Sequence, residues 1–103
     1  NKFFVDFHQN GNSNFALPLI LRKKDLELFE RCCILLNNEK VEYRIGTAGG
    51  GNQARQPYLE KYDFVKHDLS NVDHIHDFGL YIGNHPELSF LEIDTLARRL
   101  CEL

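Results

Sequence analysis

The sequence contains no methionine, and its first residue is asparagine. Because translation starts at methionine, we expect the chain to be a piece of a longer protein or a processed product. Its first eight residues also lack the basic start and apolar stretch of a signal peptide. No apolar run approaches the roughly 20 residues that a membrane-spanning helix needs. These absences predict a cytoplasmic protein that does not cross a membrane.

The three cysteines are unevenly spaced, and acidic residues slightly outnumber basic ones. A secreted, disulfide-stapled domain has an even and spaced set of cysteines, whereas this chain has Cys32, Cys33 and Cys101. Two of them are adjacent within a helical pattern, so we expect core packing in a reducing compartment rather than redox chemistry. The formal net charge of −3 disfavours nucleic acid and anionic membranes as partners, since both attract basic proteins.

The length and the apolar pattern predict one domain of mixed secondary structure. A chain of 103 residues can bury one modest core. Residues 14–21, 40–45 and 80–82 have the length and apolar content of strands, and Pro18 marks the first as an edge or a bulge. The order strand, helix, strand, long loop, helix, strand, helix predicts an α/β fold of the α+β kind, a small sheet with helices packed on it.

Each predicted helix has a start signal and an apolar stripe. The start signals are a capping aspartate, Asp25, and two capping boxes, Ser70 with Asp73 and Ser89 with Glu92. Apolar residues then recur at helical spacing. They are Leu26, Phe29, Cys33 and Leu36 in the first helix, Val72, Ile75 and Phe78 in the second, and Ile93, Leu96, Ala97 and Leu100 in the last. Gly79 follows the second helix, where a C-terminal cap belongs.

Three histidines with aspartates nearby raise the question of a metal site. His74 and His76 point about 200° apart on a helix, so they cannot bind one ion together. We therefore predict no metal site, and we interpret His67, His74 and His76 as surface or capping residues.

The segment from 46 to 56 contains four glycines and no periodicity, which predicts a loop. It lacks the Lys-Ser/Thr pair of a P-loop and the spacing of a dinucleotide fingerprint. Two interpretations remain open: a mobile linker, or a backbone that approaches a ligand or a partner closely.

Polar side chains flank this loop and occupy the turn before the last helix. Arginine has the bidentate geometry for phosphate, and amides suit sugar hydroxyls. Surface ion pairs explain the arginines equally well, and the turn residues are ordinary for a turn. The candidate substrate-binding or interface residues are Arg44, Asn52, Arg55, Gln56, Asn84 and His85.

Five segments together resemble the C-terminal third of the DegT/DnrJ/EryC1 family of sugar aminotransferases and dehydrases. They are residues 13–18, 51–52, 55–58, 79–86 and 92–94, in the family's order. The most specific reads Gly-Leu-Tyr-Ile-Gly-Asn-His-Pro, and with the Gly-Asn…Arg-Gln-Pro loop it is similar to the 3-dehydrase branch. The chain departs from the family pattern at Ile45, where proline is common, and the stretch before Asn52 is longer than usual.

The resemblance implies that residues 13–103 are the small domain of a larger fold-type-I enzyme and that residues 1–12 form an N-terminal arm. It implies pyridoxal or pyridoxamine phosphate in the full enzyme, held by a large domain of the same chain, and none bound to this fragment. It also implies a homodimer and a nucleotide-linked 4-keto-6-deoxy sugar as substrate. The pathway would be amino- or deoxysugar biosynthesis, such as that of lipopolysaccharide O-antigen.

No catalytic residue is assigned to this chain. None of its lysines lies in a motif that matches the family's cofactor-anchoring residue, so we expect the fragment alone to be inactive. We expect the apolar residues Phe3, Phe4, Val5 and Phe7 to contact the large domain or a neighbouring subunit. The alternative is a free-standing α/β module for small-molecule sensing or protein interaction, without catalysis. A long open reading frame upstream of Asn1 would favour the enzyme.

Overall fold

Three strands and three helices follow one another in the predicted order. The structure is a computed structural model that describes residues 2–8, 10–46, 51–59, 61–64 and 67–103. Its strands are β1 (Ala16–Ile20), β2 (Tyr43–Ile45) and β3 (Gly79–Gly83), and its helices are α1 (Leu26–Asn38), α2 (Ser70–Phe78) and α3 (Phe90–Glu102). Two short 3₁₀ turns, Gln53–Arg55 and Pro57–Leu59, lie between β2 and α2. The predicted α+β class is confirmed. No helix in the described ranges is long and apolar enough to cross a bilayer.

The sheet is antiparallel, and β3 lies between β1 and β2. Residues that stand opposite each other in neighbouring strands share a face of the sheet. Leu19 stands opposite Leu80, and Tyr43 stands opposite Ile82, so these four apolar residues share one face. Pro18 lies on the other face, in the edge strand β1, which is a position that suits proline.

The hydrophobic core lies between the first face of the sheet and helices α1 and α3. Its most buried side chains come from the N-terminal arm, from the residue that follows β1, from β3 and from both helices. They are Phe3, Leu21, Cys32, Leu36, Leu80, Ile82 and Leu100. An ion pair between Arg99 and Glu39 joins α3 to the end of α1.

The predicted apolar stripe of α1 was wrong in part. Cys32 is 1% exposed and Leu36 is fully buried, whereas Leu26 is 61% exposed. Positions 29, 32 and 36 follow a helical repeat as well as the predicted set does, so spacing alone did not distinguish them. Cys33 packs at the edge of the core instead of at its centre.

The predicted packing role of the adjacent cysteines is confirmed. Burial, with a smaller contribution from Cys33, raises the pKa of Cys32 to about 11. A thiol with this pKa stays protonated at neutral pH and is a poor nucleophile. All three cysteines are free.

Two of the three predicted helix starts are confirmed. Asp25 caps α1 by accepting the Leu28 N–H at 2.9 Å. Ser89 and Glu92 form the complete capping box of α3, with both reciprocal hydrogen bonds. Each bond satisfies a backbone N–H that would otherwise lack a partner at the start of the helix.

The predicted capping box of α2 was wrong. Its N-cap is Leu69, which makes no side-chain capping bond, and Ser70 is already helical. The Ser70 N–H donates to Asp68 Oδ1 at 3.0 Å. Asp73 is then free to bond to another part of the chain. Gly79 does follow α2 as predicted, but its backbone is extended (φ −121°), and a Cβ there would lie 2.5 Å from the Ile75 carbonyl oxygen.

The N-terminal arm packs against the domain that follows it. Phe3 is 9% exposed and forms a β-bridge with Leu21. The Phe4 N–H donates to the Ile20 carbonyl at 2.9 Å, and Arg22 Nε donates to the Phe3 carbonyl at 2.9 Å. The arm therefore runs along the outer side of β1, with Phe3 in the core of its own chain. Phe7 remains 41% exposed.

We predict that Leu36→Ala destabilises the chain by about 2–5 kcal/mol, because it empties a fully buried position. Leu26→Ala on the same helix is the control, and we expect a change below about 0.5 kcal/mol because that side chain is mostly exposed. Urea unfolding measured by circular dichroism gives both values. Equal effects of the two substitutions would contradict this description of the core.

Candidate functional site

The side chain of Asn52 is buried, with 3% of its surface exposed. Its Nδ2 donates to Asp73 Oδ1 at 2.8 Å, and its Oδ1 accepts the Ala54 N–H at 2.9 Å. Its backbone N–H donates to His76 Nδ1 at 3.0 Å. These three bonds satisfy a buried amide and join the glycine-rich segment to helix α2.

Arg55 binds the same face of α2. Its Nη1 lies 2.9 Å from Asp77 Oδ1 and 3.4 Å from Asp73 Oδ1. The two aspartates are four residues apart, which places them on one helix face. These ion pairs are about half exposed, so each contributes little by itself. We call Asn52, Arg55, Asp73, His76 and Asp77 the loop clamp.

Glycine allows the backbone to approach the ring of His76. The Gly51 N–H donates to the Gly46 carbonyl at 2.7 Å, and Gly46 has φ +28°, in the left-handed region. A Cβ at position 51 would lie 2.3 Å from His76 Nδ1 and 2.4 Å from the Gly46 oxygen. One interpretation of the glycines expected a close approach to a ligand or a partner, whereas the approach seen here is made to α2 of the same chain. Residues 47–50 of the glycine segment lie outside the described residues.

The clamp lowers the pKa of Asp73. The hydrogen bond from Asn52 is the largest cause, the bond and the charge of Arg55 add to it, and partial desolvation opposes it. An aspartate in an unfolded chain titrates near pH 3.9. The clamp therefore stabilises the folded state fully above that pH, and this contribution is lost as the pH falls through the lowered value.

Arg44 lies on the face of the sheet opposite the core. Half of its side chain is exposed, its Nη1 donates to the Tyr43 carbonyl at 3.3 Å, and its Nη2 lies 4.0 Å from Glu42. It borders a shallow, almost entirely apolar cavity of about 220 Å³. The other side chains that line this cavity include Pro18, Ile20, Ile75 and Tyr81.

The remaining candidates make contacts within the chain. Gln56 is 6% exposed, and its N–H closes a 3₁₀ turn on the Gln53 carbonyl at 3.0 Å. Asn84 Nδ2 donates to the Asn14 carbonyl at 2.8 Å, and the exposed His85 accepts the Glu87 N–H at 3.3 Å. Asn84 and His85 follow the end of β3, whereas α2 joins its start, so the strand separates them from the clamp.

The histidines are used in three different ways. His74 Nε2 donates to the Leu21 carbonyl at 2.6 Å, His76 accepts from Asn52, and His67 is exposed. In the part of the chain that the structure describes, no group of three His, Cys, Asp or Glu side chains has the geometry to hold a metal ion.

The fold is similar to a segment of two solved enzymes. A crystal structure of GDP-4-keto-6-deoxymannose-3-dehydratase with a trapped PLP-glutamate geminal diamine matches 84% of this chain, with TM-score 0.71 and 27% identity. The E coli GDP-4-keto-6-deoxy-D-mannose-3-dehydratase with bound hydrated PLP matches 82%, with TM-score 0.67 and 26% identity. The predicted resemblance is confirmed. This chain spans only 22% of the length of each dehydratase. No family model and no curated protein matches it.

Sequence reasoning missed the α2 half of the clamp. Asp73 was assigned to a capping box, and His76 and Asp77 were considered only as possible metal ligands or surface residues. Their spacing of three and four residues was the available signal, because it places two acidic groups and a histidine on one helix face.

We predict that Gly51→Ala destabilises the chain by about 1–3 kcal/mol, because the new Cβ would force the Gly46 backbone and His76 apart. Gly83→Ala is the matched control, since a Cβ there would meet nothing within 4 Å. We expect its effect to stay within about 1 kcal/mol. Thermal melts of the two variants test this, and an unperturbed Gly51→Ala melt would contradict the close approach.

Proposed function

We propose that this chain is the small domain of a pyridoxal-phosphate-dependent nucleotide-sugar 3-dehydratase. The observation that carries the proposal is the match of 84% of the chain to a 3-dehydratase at TM-score 0.71 and 27% identity. The substrate would be a nucleotide-linked 4-keto-6-deoxyhexose, the kind of sugar that both neighbours are named for. Activity would belong to the whole enzyme, because the match spans about a fifth of those chains.

The cofactor would be held by the remainder of the enzyme. Among the described residues, every buried side-chain polar atom has a hydrogen-bond partner within the chain. We assign no catalytic step to these residues. This agrees with the absence of a motif lysine in the sequence.

The exposed surface of the chain supports a larger protein around it. Its accessible surface is 8049 Å², whereas a compact folded monomer of 12.0 kDa exposes about 6,000 Å². Its Cα radius of gyration is 15.2 Å, compared with about 13 Å for a compact domain of this length. Phe15 and Phe90 are 87% and 93% exposed. A neighbouring domain or subunit that covered these two side chains would bury their apolar surface.

We propose two kinds of role for the six candidate residues. Arg44, Arg55 and His85 keep exposed polar groups that could reach a substrate phosphate or a neighbouring subunit of a homodimer. Asn52 and Gln56 are too buried for direct contact in this conformation, and they would hold the loop in place. Asn84 would fix the turn after β3. The homodimer and a role in O-antigen sugar synthesis follow from the same family resemblance.

The decisive experiment uses the protein encoded by the reading frame that contains this chain and its upstream sequence. We expect it, with pyridoxal phosphate and glutamate, to remove the 3-hydroxyl of GDP-4-keto-6-deoxymannose, as measured by NMR of the nucleotide sugar. Omission of the cofactor is the control. Amination of the sugar without loss of the hydroxyl would make the enzyme an aminotransferase, and the absence of a long upstream frame would contradict the proposal.

The 103-residue chain alone should not bind pyridoxal phosphate covalently, because the proposal places the anchoring residue elsewhere. Mixing the two, reducing with borohydride and measuring the intact mass should give no stoichiometric adduct. A pyridoxal-phosphate enzyme with an anchoring lysine, treated in the same way, is the positive control. A single modified lysine in the short chain at full occupancy would show that the assignment is wrong.

A further inference from the structure

The proton on His76 has only one possible position when the clamp is formed. The backbone N–H of Asn52 points at Nδ1 from 3.0 Å. A backbone amide can only donate, so Nδ1 must be the lone-pair nitrogen, and the proton of the neutral ring must be on Nε2. A second proton on Nδ1 would place two donors against each other.

The Gly51 backbone also lies close to Nδ1, since a Cβ there would be 2.3 Å from this nitrogen. Gly51 is itself held by its hydrogen bond to Gly46 at 2.7 Å. A proton on Nδ1 would face the Asn52 N–H, so protonation of the ring breaks this hydrogen bond.

We infer that His76 is a positioning residue for Asn52, and that it holds the loop through its unprotonated Nδ1 and releases it when the ring is protonated. Histidine is the side chain whose unperturbed charge change lies between about pH 5 and 8, so the release is to be sought over that range. The inference rests on the proposed function only for its consequence, which is that the position of this loop in the enzyme would depend on pH.

The charged groups around the ring carry both signs. Asp73 and Asp77 lie on the same helix as the ring, and Asp73 interacts electrostatically with His76. Arg55, on the loop side, pairs with both carboxylates. The other clamp contacts to the ring come from uncharged backbone.

The experiment is amide hydrogen exchange of the longer protein that contains this chain, measured by NMR and corrected for the intrinsic pH dependence of exchange. We expect the protection of the Asn52 amide to fall roughly fivefold or more between about pH 8 and pH 5, which is the size of one lost hydrogen bond. The His76 ring signals, followed in the same titration, should change over the same range.

Two variants separate positioning from general stability. His76→Asn places an amide oxygen near the position of Nδ1, so it should keep the protection of Asn52 and lose its pH dependence. His67→Asn alters an exposed histidine that the clamp does not use, and it should retain the wild-type pH dependence.

Unchanged Asn52 protection across this range in the wild-type chain overturns the inference, whether or not the ring titrates. A pH dependence that persists in His76→Asn overturns it as well. Neither measurement uses substrate or cofactor. A negative result here therefore does not bear on the proposed dehydratase function, and a failed dehydratase assay does not bear on this inference.

Discussion

The buried amide of Asn52 is the contact on which the glycine-rich segment depends. Its side chain is almost inaccessible to water, and each of its polar atoms is paired within the chain. Removing a partner from a buried polar group costs more than the bond itself contributes, because the remaining group stays desolvated. The ion pairs of Arg55 are more exposed, and they add electrostatic attraction to the contact that the Asn52 amide makes with α2.

The helix that carries the clamp is continuous with the centre of the sheet. Helix α2 ends at Phe78, and β3 begins at the next residue. The Leu21 N–H donates to the Phe78 carbonyl at 3.0 Å, and His74 donates to the Leu21 carbonyl at 2.6 Å. The position of the loop is thus tied to the end of β1 as well as to β3. A shift of α2 would move the loop and the sheet together.

The parts of the fold that sequence predicted are those that local patterns determine. The three strands have the length and apolar content of strands in the sequence itself, and Asp25 and Ser89 lie directly beside the helices they cap. The predicted apolar stripe of α1 was partly wrong because two helical repeats fit the sequence of this helix. Which repeat is buried depends on how the helix packs against the sheet. The clamp could not be derived, because Asn52 and Asp73 are 21 residues apart and a local capping pattern competed for the aspartate. The family motifs located the loop, but they did not indicate that the side-chain amide of Asn52 is hydrogen-bonded within the chain.

The middle position of β3 has a consequence for how the chain folds during synthesis. Within the sheet, β1 and β2 each pair with β3, and neither pairs with the other. Both strands are synthesised before β3, so neither can pair with β3 until the C-terminal quarter of the domain has emerged from the ribosome. Non-local pairing of this kind is slow, and it leaves strand edges open to aggregation in the meantime. Premature termination before Gly79 would leave a polypeptide with both outer strands and no sheet.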